Sequence, residues 1–189
     1  MPEQLFFHCA VTLNDSTVAI IGGKDSQLRV SNKTLFYNFN DGKWTYGPEL
    51  IHARYSHRCA GFNKENELTI YVIGGVTDTS CVLDSVELGV LDRNDISLMN
   101  WHWIEGPTFP IKIDSHSLVA TNNALYVIGG FEFNQILENC AGDLSTLDSI
   151  FELNLFMENT SWIQLPQRMS MPKRLVSSLF IPDELVTCN

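Results

Sequence analysis

The sequence predicts an all-β protein made of three copies of one unit, and two recurring markers carry that prediction. Each unit has a short apolar strand that ends in a pair of glycines, and successive pairs lie 52 and 55 residues apart. Each also has a Trp followed four residues later by a Pro, and successive tryptophans are 59 residues apart. Two independent markers in the same order indicate an internal repeat. The markers are Gly22, Gly23, Gly74, Gly75, Gly129 and Gly130, with Trp44, Trp103 and Trp162.

The segments between the markers predict four strands in each unit. In the second unit these strands cover residues 55–63, 68–74, 84–91 and 100–105. They are rich in Val, Ile, Tyr and Trp, and turn residues separate them. No segment combines an apolar period of 3.6 residues with helix caps at both ends. Four short antiparallel strands in roughly 50 residues describe one blade of a β-propeller.

Each marker has a structural task in such a blade. Glycine accepts a positive φ, so the pair lets the backbone turn sharply and approach its neighbour closely. The Trp is expected to fill the space between one blade and the next, and the Pro ends the ladder of hydrogen bonds. None of these tasks is chemical, so the markers predict a fold and no reaction.

The Gly-Gly strand end followed by Trp-x-x-Gly-Pro or Trp-x-x-Leu-Pro resembles the kelch repeat, over nearly the whole chain. The resemblance implies a partial kelch-type β-propeller of three four-stranded antiparallel blades plus one extra C-terminal strand. It also implies a protein that recruits or scaffolds partners through the variable loops between strands. Propellers serve many tasks, so the resemblance specifies the fold better than the function.

The repeat sets the expected boundaries. Blade 1 is predicted at about residues 5–50, blade 2 at about 54–107 and blade 3 at about 113–166. Residues 174–182 match the start of a unit, as found from Arg54 onward, and are expected to form a closing strand whose blade is missing. Because a closed ring uses roughly four to eight blades, we expect the C-terminal part of a larger propeller, or self-association that completes one.

Charge and hydropathy narrow the classes of partner. The net charge is -10, and an acidic surface repels nucleic-acid phosphates and anionic lipid. No apolar run approaches the roughly 20 residues that a bilayer crossing needs. The first residues do not read as a signal peptide. The expected partner is therefore a protein or peptide, without nucleic acid and without membrane insertion.

Cysteines and glycosylation sequons leave the cellular compartment open. The five cysteines form no CxxC pair, and their odd number implies a free thiol or a missing partner. A disulfide between Cys9 and Cys59 is not expected, since matching points on adjacent blades should lie beyond the roughly 7 Å limit between Cα atoms. The sequons favour an extracellular location only weakly. The other cysteines are Cys81, Cys140 and Cys188, and the sequons start at Asn14, Asn32 and Asn159.

Repeated histidines and arginines each have two interpretations. His8, His57 and His116 recur at the first strand of each unit. They are either a metal or general-base cluster or, as repetition favours, side chains that hydrogen-bond the backbone of a neighbouring blade. Arg54 and Arg174 either bind an acidic peptide, since guanidinium matches carboxylate, or anchor a turn between blades.

The loops after the glycine pairs vary in length and are expected to hold specificity. The longest covers residues 131–146, where Phe131 and Phe133 flank Glu132. This tip is either a contact site or a covered loop.

No catalytic, cofactor-binding or metal-binding residue is predicted, and the favoured function is a non-enzymatic protein-interaction module. The alternative is a fragment of a secreted galactose-oxidase-like or carbohydrate-associated propeller, because galactose oxidase is similar to kelch proteins in its propeller. A copper site of that kind needs two Tyr, two His and a Cys cross-linked to Tyr. The residue types are present, but no motif arranges them.

Overall fold

The computed structural model describes residues 1–64, 67–92, 101–135, 140, 142–156 and 160–174. The secondary structure of these residues is β-strand. Within these ranges, nothing helical has the length and apolar character that crossing a bilayer requires. The strands are β1 Leu5–Phe6, β2 Cys9–Asn14, β3 Thr17–Ile21, β4 Lys24–Asp25, β5 Thr34–Asn38, β6 Lys43–Tyr46, β7 Arg58–Lys64, β8 Glu67–Ile73, β9 Val86–Asp92, β10 Trp103–Glu105, β11 Ile113–Asp114, β12 Ser117–Ala120, β13 Ala124–Ile128, β14 Phe131–Gln135, β15 Gly142–Thr146, β16 Ser149–Asn154 and β17 Ile163–Arg168.

Three antiparallel sheets of four strands form the body of the molecule, which confirms the predicted fold class. Their orders are β2-β3-β5-β6, β7-β8-β9-β10 and β12-β13-β16-β17. The first strands of neighbouring sheets contact each other, β2 with β7 and β7 with β12. The sheets, named blades 1, 2 and 3, therefore radiate from a shared axis. The predicted closing strand, 174–182, lies outside the described residues beyond its first position.

The core lies between the blades because each sheet buries apolar residues on both faces. Strand β8 shows this, since Ile70 and Val72 pack toward blade 1 while Ile73 packs toward blade 3. All three side chains are fully buried. A sheet of near-continuous apolar sequence can only be stable in such a stack, with a neighbour on either side.

The marker tryptophans do not all occupy the same environment. Trp103 is 6% exposed and packs edge-to-face on Trp101, with ring centroids 5.0 Å apart. Its indole Nε1 donates to the Pro48 carbonyl oxygen of the preceding blade at 3.1 Å. Trp162 is half-buried and makes the same 3.1 Å bond to Pro107. Trp44, by contrast, is half-buried against blade 1 itself, so the prediction of a Trp between blades holds for the second and third copies.

The glycine pairs make the close approach that the sequence predicted. Gly22 has φ +60, and a Cβ there would lie 2.7 Å from the Arg54 carbonyl oxygen. Gly129 has φ +61, and its Cβ would lie 2.6 Å from the Lys173 carbonyl oxygen. Any side chain would push the next crossing segment away, so glycine is required at both positions.

The backbone hydrogen bonds correct the predicted alignment of the third unit. The second glycine of each pair donates its N–H to one carbonyl oxygen in the following crossing segment, at 2.8 Å in all three units. The acceptors are Arg54, Ile113 and Lys173. Lys173, not Arg174, is thus the counterpart of Arg54, and Arg174 corresponds to Tyr55. The sequence comparison was wrong by one residue because it matched two arginines by type.

Candidate functional site

One end of the propeller segment collects its longest loops. The second and fourth strands of each blade end there, so the loops after the glycine pairs meet the crossings between blades. We call this end the loop face and define it by residues 3–8, 24–33, 76–84, 131–146 and the crossings 47–57 and 106–116. The sequence analysis predicts that these loops determine binding specificity.

The first two of these loops share one backbone design. In blade 1 the Asp25 N–H donates to Arg29 at 3.0 Å, and the Leu28 N–H donates back to Asp25 at 3.0 Å. In blade 2, Thr77 and Cys81 are joined in the same way at 2.9 Å. The Asp25 carboxylate also pairs with the Arg29 guanidinium at 2.7 Å. Leu28, at the tip, is 66% exposed.

The third loop contains a hairpin of two paired strands. Strands β14 and β15 pair in antiparallel register, and β14 also pairs with β11. The Ser145 hydroxyl donates to the Glu132 carboxylate at 3.4 Å. Phe131, Glu132 and Phe133 are all half-buried. The base of the hairpin is therefore paired and its side chains stay partly accessible, and whether this tip is a contact site stays a prediction.

Two disulfides connect neighbouring blades. Cys9 in β2 bonds Cys59 in β7, with Cα atoms 5.9 Å apart. The expectation against this pair was wrong, because first strands converge at the axis and come closer than matching points farther out. Cys81 bonds Cys140, with Cα atoms 5.0 Å apart, and so ties the blade 2 loop to the blade 3 hairpin. Closing loops of 50 and 59 residues stabilises the fold by about 4 kcal/mol each on chain-entropy grounds.

Arg54 lies under the loop face, and this placement corrects its predicted binding role. The side chain is fully buried and forms an ion pair with the equally buried Glu87. Its guanidinium also donates to the carbonyl oxygen of Gly74 at 2.9 Å and to the hydroxyl of Ser85 at 2.9 Å. A buried guanidinium with these partners cannot contact a peptide. Arg54 is the anchor of a turn between blades, the second of its two interpretations.

Glu87 completes this buried network. Its two carboxylate oxygens accept the backbone N–H groups of Ile51 at 2.7 Å and His52 at 3.0 Å. The crossing between blades 1 and 2 is therefore fixed to the third strand of blade 2. Buried charges are tolerated when they are paired and hydrogen-bonded in this way.

Arg174 remains on the surface and contacts another predicted site residue. It is exposed, and its guanidinium carbon lies 4.8 Å from the ring centroid of Phe131. At the equivalent joint between blades 1 and 2, the Lys24 ammonium lies 3.7 Å from the ring centroid of Tyr55. At the first joint the cation follows the glycine pair and the ring lies on the crossing segment. At the second joint the ring follows the glycine pair and the cation lies on the crossing segment. Each pair contributes about 0.5–1 kcal/mol at exposed sites.

An aromatic cluster stands exposed beside Lys24. Phe6 and Phe7 are 36% and 53% exposed, and their ring centroids are 5.2 Å apart. Phe7 also lies 6.2 Å from Tyr55. Phe7 has φ +55, a left-handed conformation that is uncommon for bulky residues. We call Phe6, Phe7 and Tyr55 the aromatic cluster.

A polar cleft of about 310 Å³ adjoins the aromatic cluster. The Lys33 ammonium pairs with Glu3 across it at 2.8 Å. Residue type alone could not have revealed the cleft or the cluster, since the residues come from three separate segments. The lining residues are Glu3, Asp25, Arg29, Val30, Ser31, Asn32 and Lys33.

The repeated histidines come just before the first strands, where His57 and His116 are fully buried. The His57 Nε2 donates to the Ile21 carbonyl oxygen of blade 1 at 3.0 Å, which matches the backbone-bonding interpretation. His116 is fully buried, and neither ring nitrogen has a hydrogen-bond partner among the described residues. His8 is half-buried, and burial lowers its pKa. Over the same residues, no group of three His, Cys, Asp or Glu could hold a metal ion.

Acidification is expected to destabilise the fold through His116. Burial lowers the pKa of His116 to about 3, whereas the unfolded ring keeps its ordinary value near 6.5. Between these two pH values the His116 ring is protonated in the unfolded chain and neutral in the folded chain. The free energy of unfolding is thus intact above about pH 6.5 and falls by about 1.4 kcal/mol for each pH unit below it.

Urea unfolding at pH steps from about 7.5 to 5 measures this dependence. His57 titrates in the same direction, since burial lowers its pKa too. In the control variant His116→Gln, the free energy of unfolding should depend less steeply on pH, because the proton taken up by His116 no longer contributes. Equal slopes for the two proteins would contradict the assignment.

Comparison with known proteins gives a consistent family. No family model matches. The chain is 28% identical to Kelch repeat and BTB domain-containing protein 12 of Homo sapiens, covering 98% of this chain and 32% of the relative. It is 27% identical to Kelch-like protein 40 of Xenopus tropicalis, covering 82% of this chain and 23% of the relative. The chain thus spans a third or less of the length of these relatives.

A solved structure shows the same fold. The chain superposes on the structure of YjhT with a TM-score of 0.65 at 18% identity, over 90% of this chain and 54% of that one. The three radiating sheets, the repeat markers and the named relatives all indicate the same fold. The chain is similar to kelch-repeat proteins and forms part of a kelch-type β-propeller.

Proposed function

We propose that this chain is a non-enzymatic recognition module that binds a protein or peptide through its loop face. The observation that carries the proposal is the exposed aromatic cluster beside Lys24. Clustered exposed aromatic rings are typical of the anchoring residues of interfaces.

The support beneath the cluster is rigid. Arg54 and Glu87 fix the crossing that carries Tyr55, and the Cys81–Cys140 disulfide fixes the two longer loops to each other. A surface already held in shape loses little conformational entropy when a partner binds. This favours a recognition surface over a purely structural one.

The surface indicates the chemistry of the partner. The Lys24 ammonium supplies positive charge beside the aromatic rings. A segment with an apolar or aromatic side chain next to a carboxylate fits both features. The net charge of the whole chain, -10, disfavours a nucleic acid.

Phe7→Asn is expected to weaken partner binding at least about tenfold, the effect of losing one interface anchor. Asparagine tolerates the positive φ of Phe7, so the backbone should be kept while the ring is lost. The partner is isolated by its binding to the immobilised wild-type chain, and titration calorimetry then compares its affinity for the variant and for the wild type.

The matched control is Phe156→Asn, at the opposite end of the blades. Phe156 is 59% exposed and packs on Phe62 with ring centroids 6.0 Å apart. This control should bind as the wild type does. Binding lost in the control and kept in Phe7→Asn would move the site to the opposite face.

We also propose an oxidising, extracellular compartment. Two disulfides between blades support it, because such bonds persist outside the cytosol. Protein from the native source should then show one alkylatable cysteine of the five before reduction. Five alkylatable cysteines would overturn the proposal.

A galactose-oxidase-like propeller would share this compartment. Four of the five cysteines are already joined in disulfides, which leaves Cys188, outside the described residues, for a thioether to Tyr. Copper in stoichiometric amount would favour that alternative over a recognition module.

Self-association is a further proposal. Trp103 and Trp162 each donate to a proline carbonyl of the preceding blade, whereas Trp44 makes no such bond within the described residues and could donate to a blade packed against blade 1. A second copy of the chain would supply one. Sedimentation that shows a non-associating, compact monomer would contradict it.

A further inference from the structure

The turn between β2 and β3 carries the sequence Asn14-Asp15-Ser16, which is an acceptor sequence for N-linked glycans. We propose that Asn14 is a glycosylation site and that Asn32, the other sequon in the described residues, is not. The inference rests on the oxidising compartment proposed above, since N-linked glycans and disulfides are added along the same secretory route.

The Asn14 amide is arranged as an accessible acceptor. Its side-chain oxygen Oδ1 accepts the Ser16 backbone N–H at 2.9 Å and the Ser16 hydroxyl at 3.1 Å. Within the described part of the chain, its Nδ2 donates no hydrogen bond. Asn14 and Asp15 are exposed. The atom that would carry the sugar is therefore not needed by the fold, and its surroundings are open.

The transfer itself uses a donor of known chemical class. Nδ2 bonds to the anomeric carbon of an oligosaccharide carried on a lipid pyrophosphate. The anomeric C–O bond breaks, the pyrophosphate leaves with the electron pair, and the amide loses one proton. Nothing in this step requires a catalytic group of this chain.

An exposed aromatic residue lies beside the turn. The Phe39 N–H donates to the Ser16 carbonyl oxygen at 2.8 Å, and the Phe39 side chain is 63% exposed. Tyr37 packs edge-to-face on it at 5.1 Å. A sugar on Asn14 would cover part of this apolar surface, which otherwise faces water.

Asn32 shows the opposite arrangement. Its Nδ2 donates to the Glu49 carboxylate at 3.1 Å and to the Leu50 carbonyl oxygen at 3.4 Å. Thr34, the hydroxyl residue of this sequon, is fully buried. A glycan on Asn32 would disturb the tie between β5 and the crossing to blade 2. Asn159 lies outside the described residues.

The location of Asn14 agrees with binding at the loop face. The β2–β3 turn lies at the end of blade 1 opposite the glycine pair. A bulky glycan there leaves the aromatic cluster open. Removing the glycan should change neither the disulfides nor partner binding.

The test expresses the full chain behind a cleavable secretion leader in animal cells. All proteins in the test carry Asn159→Gln, which removes the sequon outside the described residues, and treatment with peptide N-glycosidase should shift the otherwise unchanged chain by one glycan, as read by gel and by intact mass. Asn14→Gln and Ser16→Ala should both abolish that shift, and Ser16→Thr and Asn32→Gln should keep it. A shift that survives Asn14→Gln, or that is lost in Asn32→Gln, would overturn the assignment.

Protein from the native source decides whether the site is used. Enzymatic removal of the glycan in heavy-oxygen water converts a glycosylated Asn14 to a labelled aspartate, which peptide mass spectrometry detects. Label at Asn14 supports the proposal. Oxidised cysteines without label would overturn glycosylation alone, and reduced cysteines without label would overturn the compartment as well. Loss of partner binding in Phe7→Asn bears on neither.

Discussion

Replacing Arg54 with methionine is expected to lower the free energy of unfolding by about 3–5 kcal/mol, the cost of breaking a buried ion pair. The Glu87 carboxylate would stay buried with only its two backbone donors. The guanidinium bonds to Gly74 and Ser85 would be lost as well. Denaturant unfolding of the variant and the wild type measures the difference.

The control for Arg54 is an ion pair on the surface. Arg168 pairs with Asp148 at 2.6 Å, and the two side chains are 52% and 33% exposed. Arg168→Met should cost less than about 1 kcal/mol, because water screens exposed charges. If both variants lost equally little, the Arg54–Glu87 network would not be holding blades 1 and 2 together.

Trp103→Ala is expected to cost about 3–5 kcal/mol, as other large-to-small changes in cores do. The indole fills the space between blades 1 and 2 and contacts Trp101. Its removal also leaves the Pro48 carbonyl oxygen without its donor. The urea midpoint of the variant gives the cost, and a value under about 1 kcal/mol would show that the blade assignment is wrong there.

Two further variants divide that effect into its parts. Trp103→Phe keeps most of the volume and removes the N–H donor, so it should cost nearer 1 kcal/mol for the hydrogen bond plus a modest packing loss. Trp44→Ala should cost less than Trp103→Ala, because Trp44 is half-exposed on blade 1. A larger cost at Trp44 would mean that its face is covered in solution.

The fold could be predicted because its markers are local. The Gly-Gly strand ends and the Trp-Pro pairs follow from turn geometry and from the size of the gap between blades, and both act within a few residues. The strands of blade 2 fall within a few residues of their predicted positions. Alternate residues of β8 face opposite neighbouring blades, as the two-residue period of a strand requires.

The site could not be predicted as well because it depends on distances between units. The Cys9–Cys59 disulfide was missed because a repeat gives equivalence between positions and says nothing of how strands converge at an axis. The role of Arg54 became clear only once Glu87 was seen beneath it. Arg174 was misaligned because a lysine, Lys173, occupies the position of Arg54.

The aromatic cluster shows a second limit. Phe6, Phe7 and Tyr55 belong to two different units and read as ordinary strand residues in the sequence. The positive φ of Phe7 gives no signal in residue type, since bulky residues rarely adopt it. The equivalent residues Ser56 and Ser115 share this conformation, so the positive φ belongs to the repeat and is seen only in the backbone.

The two disulfides also set how the chain responds to mechanical tension. Bonds spanning 50 and 59 residues withhold about 380 Å of contour length, at roughly 3.5 Å for each residue. When the oxidised chain is pulled from its ends, only the segments outside these two covalent loops can extend. In a single-molecule stretching experiment, the oxidised protein should therefore reach a much shorter final extension than the reduced one, and adding a reductant under load should release the difference in two steps.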